Sequence, residues 1–188
     1  MNDKSSPTSR RRFLRMVGGF TAGMAMASPV LAKAAATVSR ERTLAFHNLH
    51  TGEKLETTFC IGHQFLPDSL RSVNHLLRDH RTGEACEMSP ELLVLLDDLQ
   101  QLLGNRRTLQ VISGYRSPAT NKLLRQNSDG VAKKSLHMQG KAIDIRLPGT
   151  ELKQLHRGAV ALKRGGVGLY SQSGFVHLDV GRVRYWGA

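Results

Sequence analysis

Acidic residues are scarce in this 188-residue chain: 15 Asp and Glu stand against 27 Lys and Arg, a formal net charge of +12. That imbalance disfavours cationic partners and favours anionic ones, whether nucleic acid, anionic lipid or an acidic polymer. Aromatic residues make up only 5% of the chain. They do not form the aromatic-interleaved basic platform on which single-stranded nucleic acid stacks, so a nucleic-acid partner is not expected. Two cysteines, Cys60 and Cys86, give no disulfide framework and are too few for a Cys-rich zinc site. Free thiols are expected ahead of a bridge between them. Internal repeats and low-complexity segments are missing beyond the first 36 residues. What is present is a 40% hydrophobic fraction, enough for the core of one ordinary domain.

The first 36 residues read as a leader. A basic stretch, S-R-R-R-F-L-R at 9–15, precedes a weakly apolar run, M-V-G-G-F-T-A-G-M-A-M-A at 16–27. Small residues follow, V-L-A at 30–32 and A-A-A at 34–36. That order is an export signal, with cleavage after Ala32, Ala34 or Ala36. Arg10 and Arg11, with Phe13 and Leu14, resemble the twin-arginine export motif, which implies transport of an already folded protein to the periplasm. The apolar run is too short and too rich in glycine to span a bilayer, so no membrane span is expected after leader removal. Removing residues 1–32 takes away five basic residues and one acid, leaving a formal charge of +8. Basic character therefore belongs to the expected domain, residues 37–188, as well as to its leader.

Within that domain, the residues from Thr43 to Phe59 read as a hairpin around Thr51-Gly52. Leu70, Val73, Leu76 and Leu77 recur at helical spacing between Pro67 and about Arg81. S-P-E-L-L-V-L-L-D-D-L-Q-Q-L-L-G at 89–104 is a stronger helix: Ser89 suits the cap, Pro90 the first turn and Gly104 the stop. T-L-Q-V-I-S at 108–113 is a strand, Ser117-Pro118 opens a short helix to about Arg125, and 126–134 is a polar loop. Lys141–Leu147 is a strand and 150–163 a helix, and G-V-G-L-Y and F-V-H-L-D-V form a hairpin around S-Q-S-G. The expected architecture is α+β: a single compact domain with a central antiparallel sheet flanked by helices.

Strand alternation then sorts the chemistry. In K-A-I-D-I-R-L, Ile143, Ile145 and Leu147 share one face, and Ala142, Asp144 and Arg146 the other. In F-V-H-L-D-V, Val176, Leu178 and Val180 face one way, and Phe175, His177 and Asp179 the other. If the strands are neighbours with their apolar faces together, Asp144 and His177 point into the same space. His137 sits on the loop just before the first strand, where Gly140 permits a tight turn. Two imidazoles and a carboxylate are a catalytic zinc set, with one coordination position left open. Zinc in such a site lowers the pKa of a bound water to about 7, which suits hydrolysis without redox chemistry.

S-L-H-M-Q-G-K-A-I-D at 135–144 resembles the S-x-H-x-x-G-x-A-x-D motif of the zinc peptidases that include D-Ala-D-Ala dipeptidases and carboxypeptidases. Five fixed positions make that motif specific. G-Y-R-S at 114–117 and F-V-H-L-D-V-G at 175–181 match in order, and the chain from about 43 to its end is similar to the exported murein endopeptidase branch of that family. The resemblance implies the fold shared by those peptidases and the hedgehog signalling domain. It implies Zn2+ held by His137, Asp144 and His177, and hydrolysis of peptide cross-links in peptidoglycan. It places Arg116 at the family's motif arginine, where a guanidinium suits a substrate carboxylate or a developing oxyanion. Ser135 falls at the substrate side of the motif, orienting the loop or a ligand.

The proton acceptor is where this chain departs from the pattern. Relatives with a histidine two residues before the last ligand meet Phe175 here, and those with an acid three residues before it meet Gly174. Asp179 remains, either as the proton shuttle or as a carboxylate orienting a ligand. A wall-binding module that keeps its metal without catalysis is the alternative function. His47, His50, His63, His75, His80 and His156 are expected in solvated or core-edge roles. Lys133 and Lys134 suit an anionic substrate or a solvated loop. G-G-V-G at 165–168 lacks the setting of a phosphate loop. Which cross-link is cut, and the oligomeric state, are not readable from these residues.

Overall fold

The alternation of apolar and polar side chains along the strands produces one eight-stranded sheet. The computed structural model describes residues 39–127 and 131–187, so the expectations for the leader lie outside the described residues. The strands are β1 (Glu41–Asn48), β2 (Lys54–Ile61), β3 (Gln64–Phe65), β4 (Leu109–Ser113), β5 (Ala142–Arg146), β6 (Gly166–Tyr170), β7 (Phe175–Asp179) and β8 (Arg184–Trp186). The helices are α1 (Pro67–Leu76), α2 (Pro90–Leu102), α3 (Pro118–Asn127) and α4 (Leu152–Ala161). The spatial order is β3-β2-β1-β4-β5-β7-β6-β8. Most neighbours are antiparallel, but β1 pairs β4 and β6 pairs β8 in parallel. The α+β expectation holds, with a mixed sheet in place of a purely antiparallel one. Among the described residues, no helix is long and apolar enough to cross a membrane.

One face of the sheet is the core. Phe46 pairs with Leu109, Val111 with Ile145, Ile145 with Val176, and Ile143 with Leu178. Residues paired across a ladder share a face, so these side chains form one continuous apolar floor. Leu92, Leu93, Leu95, Leu96 and Leu99 of α2 join it, with Val73 of α1 and Leu155 of α4. Each buried leucine contributes about 1.5–3 kcal/mol relative to an exposed one. Two polar residues of α2 are buried with them, and both have partners. Gln100 donates to the Arg107 carbonyl at 2.6 Å. Asp97, 1% exposed, accepts from Arg40, Arg42 and Arg106.

Tertiary contacts set the end of α1, and local ones the ends of α2. α1 ends at Leu76, short of the Arg81 that periodicity suggests. The Leu76 carbonyl accepts from Asn48 Nδ2 at 2.9 Å, and the Leu77 carbonyl accepts from Tyr115 N–H at 2.7 Å. Those carbonyls are satisfied from outside the helix, and the chain turns away to deliver Asp79 elsewhere. At α2, Ser89 precedes Pro90 as expected, but its hydroxyl bonds the Glu91 carboxylate and caps no backbone N–H. Gly104 closes that helix in the left-handed region at φ +61°. Cys60 and Cys86 are both free thiols, the former buried.

Candidate metal centre and cleft

The site is built on the sheet face opposite the core. In the β5/β7 ladder Asp144 lies directly across from His177. His137 comes from a 3-10 turn, Leu136–Gln139, that folds over β5. Gly140 ends this turn at φ +65°, and a Cβ there would sit 2.1 Å from the Glu87 carbonyl oxygen. Only glycine satisfies both the backbone angle and that close approach.

Three donor atoms converge. His177 Nδ1 is 2.8 Å from Asp144 Oδ1 and 3.2 Å from His137 Nε2, and His137 Nε2 is 3.3 Å from Asp144 Oδ1. Tetrahedral ligands held about 2.0–2.1 Å from zinc lie roughly 3.3 Å apart. All three residues are buried. The tautomers also suit a metal. His137 Nδ1 lies 2.7 Å from the Gly114 carbonyl oxygen, which can only accept, so Nδ1 carries the hydrogen and Nε2 turns a lone pair to the cluster. His177 Nε2 lies 3.0 Å from Asp179 Oδ2, which leaves Nδ1 for the cluster. Burial opposes charge on Asp144 and His177. Their mutual contacts outweigh it, holding Asp144 well below the usual carboxylate range with His137 and His177, and raising His177 with Asp144 and Asp179. A cluster that draws positive charge into a buried position fits a divalent cation.

Asp179 lies behind the His177 ring, at the nitrogen facing away from the cluster. Its oxygens are fully engaged. Oδ2 accepts from His177 and from Arg184 Nη2 at 2.7 Å, and Oδ1 accepts from Gly166 N–H at 2.9 Å, Gly181 N–H at 2.8 Å and Arg184 Nη1 at 3.1 Å. Burial pushes its pKa up, but these donors hold it well below the usual range. Of the two roles expected for Asp179, this geometry fits the orienting carboxylate and not the proton shuttle.

Arg116 follows β4 and places Nη2 3.8 Å from Asp144 Oδ2. Burial lowers its pKa, as does nearby Arg81, against the pull of Asp144. Ser135 is buried at the start of the 3-10 turn, where its hydroxyl makes no cap bond. Both line a cleft of about 610 Å³ that opens over the three donors.

The sequence did not reveal the other wall of this cleft. Tyr170 and Phe175 face each other across β6/β7 with rings stacked at 4.6 Å. Trp186 of β8 reaches over Gly168 to lie 5.2 Å from the His177 ring, and its Nε1 donates to Tyr170 Oη at 3.2 Å. A Cβ on Gly168 would sit 2.3 Å from the Trp186 ring, and one on Gly166 would sit 2.4 Å from Asp179 Oδ2. The G-V-G spacing at 166–168 therefore makes room for the indole and for the Asp179–Arg184 pair. That is the only signal by which the wall could have been anticipated. His50 and His80, expected in peripheral roles, also line the cleft, stacked at 3.8 Å.

A sheet that carries His177 and Asp144 on its open face, beneath a glycine-terminated 3-10 turn that supplies His137, has the architecture of the peptidases whose motif spans 135–144. The chain belongs to the family described as peptidoglycan L,D-endopeptidase MepK, whose profile matches residues 35–186. It is 42% identical over 178 residues to peptidoglycan L,D-endopeptidase MepK of Escherichia coli strain K12, covering 95% of this chain and 97% of that protein. The MepK protein of Shigella flexneri matches with the same identity and coverage. A protein of Haemophilus influenzae named as a probable peptidoglycan L,D-endopeptidase MepK is 39% identical over 179 residues, covering 95% of each chain.

Proposed function

We propose that this protein is a zinc-dependent peptidoglycan endopeptidase that cuts peptide cross-links of the cell wall in the periplasm, after export directed by its leader. The carrying observation is the convergence of His137 Nε2, Asp144 Oδ1 and His177 Nδ1 at the floor of an open cleft. These three would hold the zinc ion, which when bound supplies a Lewis acid and an activated water. His137 is oriented by the Gly114 carbonyl and His177 by Asp179, which Arg184 fixes in turn. Arg116, beside the cluster, donates hydrogen bonds to the scissile carbonyl oxygen as negative charge develops on it. Ser135 and the Tyr170–Phe175–Trp186 wall flank the peptide. Tyr170 Oη accepts from the Trp186 indole, which can only donate, so its own hydrogen is available to a substrate acceptor.

One observation favours the second reading, a metal-retaining wall-binding module: among the described residues lining the cleft, Asp144 is the only acid. A digest of defined cross-linked muropeptides, with and without chelator, separates the two. Cleavage products that vanish with chelator and in His177→Ala are expected. Intact muropeptides alongside a zinc-loaded protein would leave only the binding module.

A further inference from the structure

Charge in the cleft is lopsided. Among the described residues, Arg81, Arg116, Lys134 and Arg184 line it against one acid, Asp144. Asp144 belongs to the metal cluster, and Arg184 is engaged by Asp179. Arg81 forms no ion pair with any described acidic side chain and is exposed.

Its position is nevertheless built. Asp79, 2% exposed, accepts from Arg81 N–H at 2.9 Å through Oδ1 and from Ser117 N–H at 2.8 Å through Oδ2. One buried carboxylate thus ties the Arg81 loop to the loop that carries Arg116. The neighbouring His80 ring stacks on His50, anchoring the same loop to the β1–β2 turn. The Arg116 N–H donates to the His137 carbonyl at 3.2 Å, which links the assembly to the metal-binding turn. Arg81 and Arg116 therefore line one cavity from loops that are tied to each other. Like charges brought together in a cleft are stabilised by an anion bound there.

We propose that Arg81 is a specificity-determining residue that binds a free carboxylate of the substrate beside the scissile bond, while Arg116 serves the carbonyl oxygen. The inference rests on the proposed endopeptidase activity. In a diaminopimelate cross-link, the nitrogen of the cleaved amide sits on a carbon that also bears a carboxyl group, and this group is either free or amidated. A guanidinium fork pairs with the carboxylate and not with the neutral amide. Arg81 would make the enzyme selective for the unamidated cross-link.

The test compares wild type, Arg81→Gln and Lys134→Gln on two synthetic cross-linked muropeptides that differ only in whether that carboxyl is free or amidated. Wild type is expected to favour the free acid in kcat/KM by about 10- to 100-fold, the range of a charge-assisted pair. Arg81→Gln is expected to lose that preference by slowing on the free acid alone. Lys134→Gln is expected to keep it. Wild-type cleavage of both substrates at equal rates, or an Arg81→Gln enzyme that retains the preference, overturns the assignment while leaving the endopeptidase reading intact. Transfer of the loss to Lys134→Gln does the same. Cleavage of neither substrate by zinc-loaded wild type overturns the endopeptidase reading itself, and this inference with it.

Discussion

At the residue scale, the site depends on which nitrogen of each histidine faces inward. His137 offers Nε2 because a carbonyl takes its Nδ1 hydrogen, and His177 offers Nδ1 because Asp179 takes its Nε2 hydrogen. Asp179 does this reliably because Arg184 and two backbone N–H groups fill its remaining lone pairs. Asp179→Asn is therefore expected to weaken zinc affinity by about 10- to 100-fold, as measured by competition with a chromophoric chelator. Arg184→Met is expected to shift it in the same direction and by less. Gly168→Ala tests the aromatic wall. Its methyl group would meet the Trp186 ring at 2.3 Å, so the indole must leave its place over His177. The expected result is a fall in kcat/KM with zinc content unchanged and an altered tryptophan emission spectrum.

At the element scale, α2 holds the molecule together through two kinds of contact. Its leucines bury on the sheet, and its Asp97 gathers Arg40 and Arg42 from the start of β1 and Arg106 from beyond its own C-terminus. The arginines are 19–50% exposed in their side chains, so they can rehydrate if the carboxylate is lost. Asp97→Ala is expected to cost about 1.5–3 kcal/mol in urea unfolding. That is less than the penalty for stranding a fully buried charge. Leu95→Ala, which opens a cavity in the core, is expected to cost about 2–5 kcal/mol.

At the scale of the whole molecule, pH and salt act through groups the chemistry does not use. His156, in α4, is buried with no partner for Nε2 among the described residues, and burial lowers its pKa. In the unfolded chain it titrates near its ordinary value of about 6.5. As pH falls from there towards the lower folded value, the unfolded chain takes up the proton first and stability is lost. Above about 6.5 the contribution vanishes. His156→Leu is expected to leave the melting temperature nearly unchanged at pH 8 and to raise it relative to wild type at pH 5.5. The formal charge of +8 expected once residues 1–32 are removed predicts that binding to isolated murein weakens as salt rises past physiological strength, where the screening length falls to about 8 Å and below. A sedimentation assay at increasing ionic strength measures this.

The ten residues at 135–144 and the alternation in 141–147 and 175–180 determined the core face, the polar face and all three candidate ligands. Those features are local: a side chain's face follows from its parity along a strand, and the glycine of the turn follows from the backbone angle it must adopt. Only the tertiary structure decided the parallel insertion of β4 beside β1 and the addition of β8 after β6. It also decided the early end of α1, the tautomer-setting contacts, and the cleft walls carrying Arg81, His50, His80, Tyr170 and Trp186. These depend on groups far apart in the chain, such as Asp79 reaching Ser117 or Trp186 lying over Gly168. No periodicity encodes such meetings, because each is settled by which distant partner satisfies a buried polar group or fills the space a missing side chain leaves open.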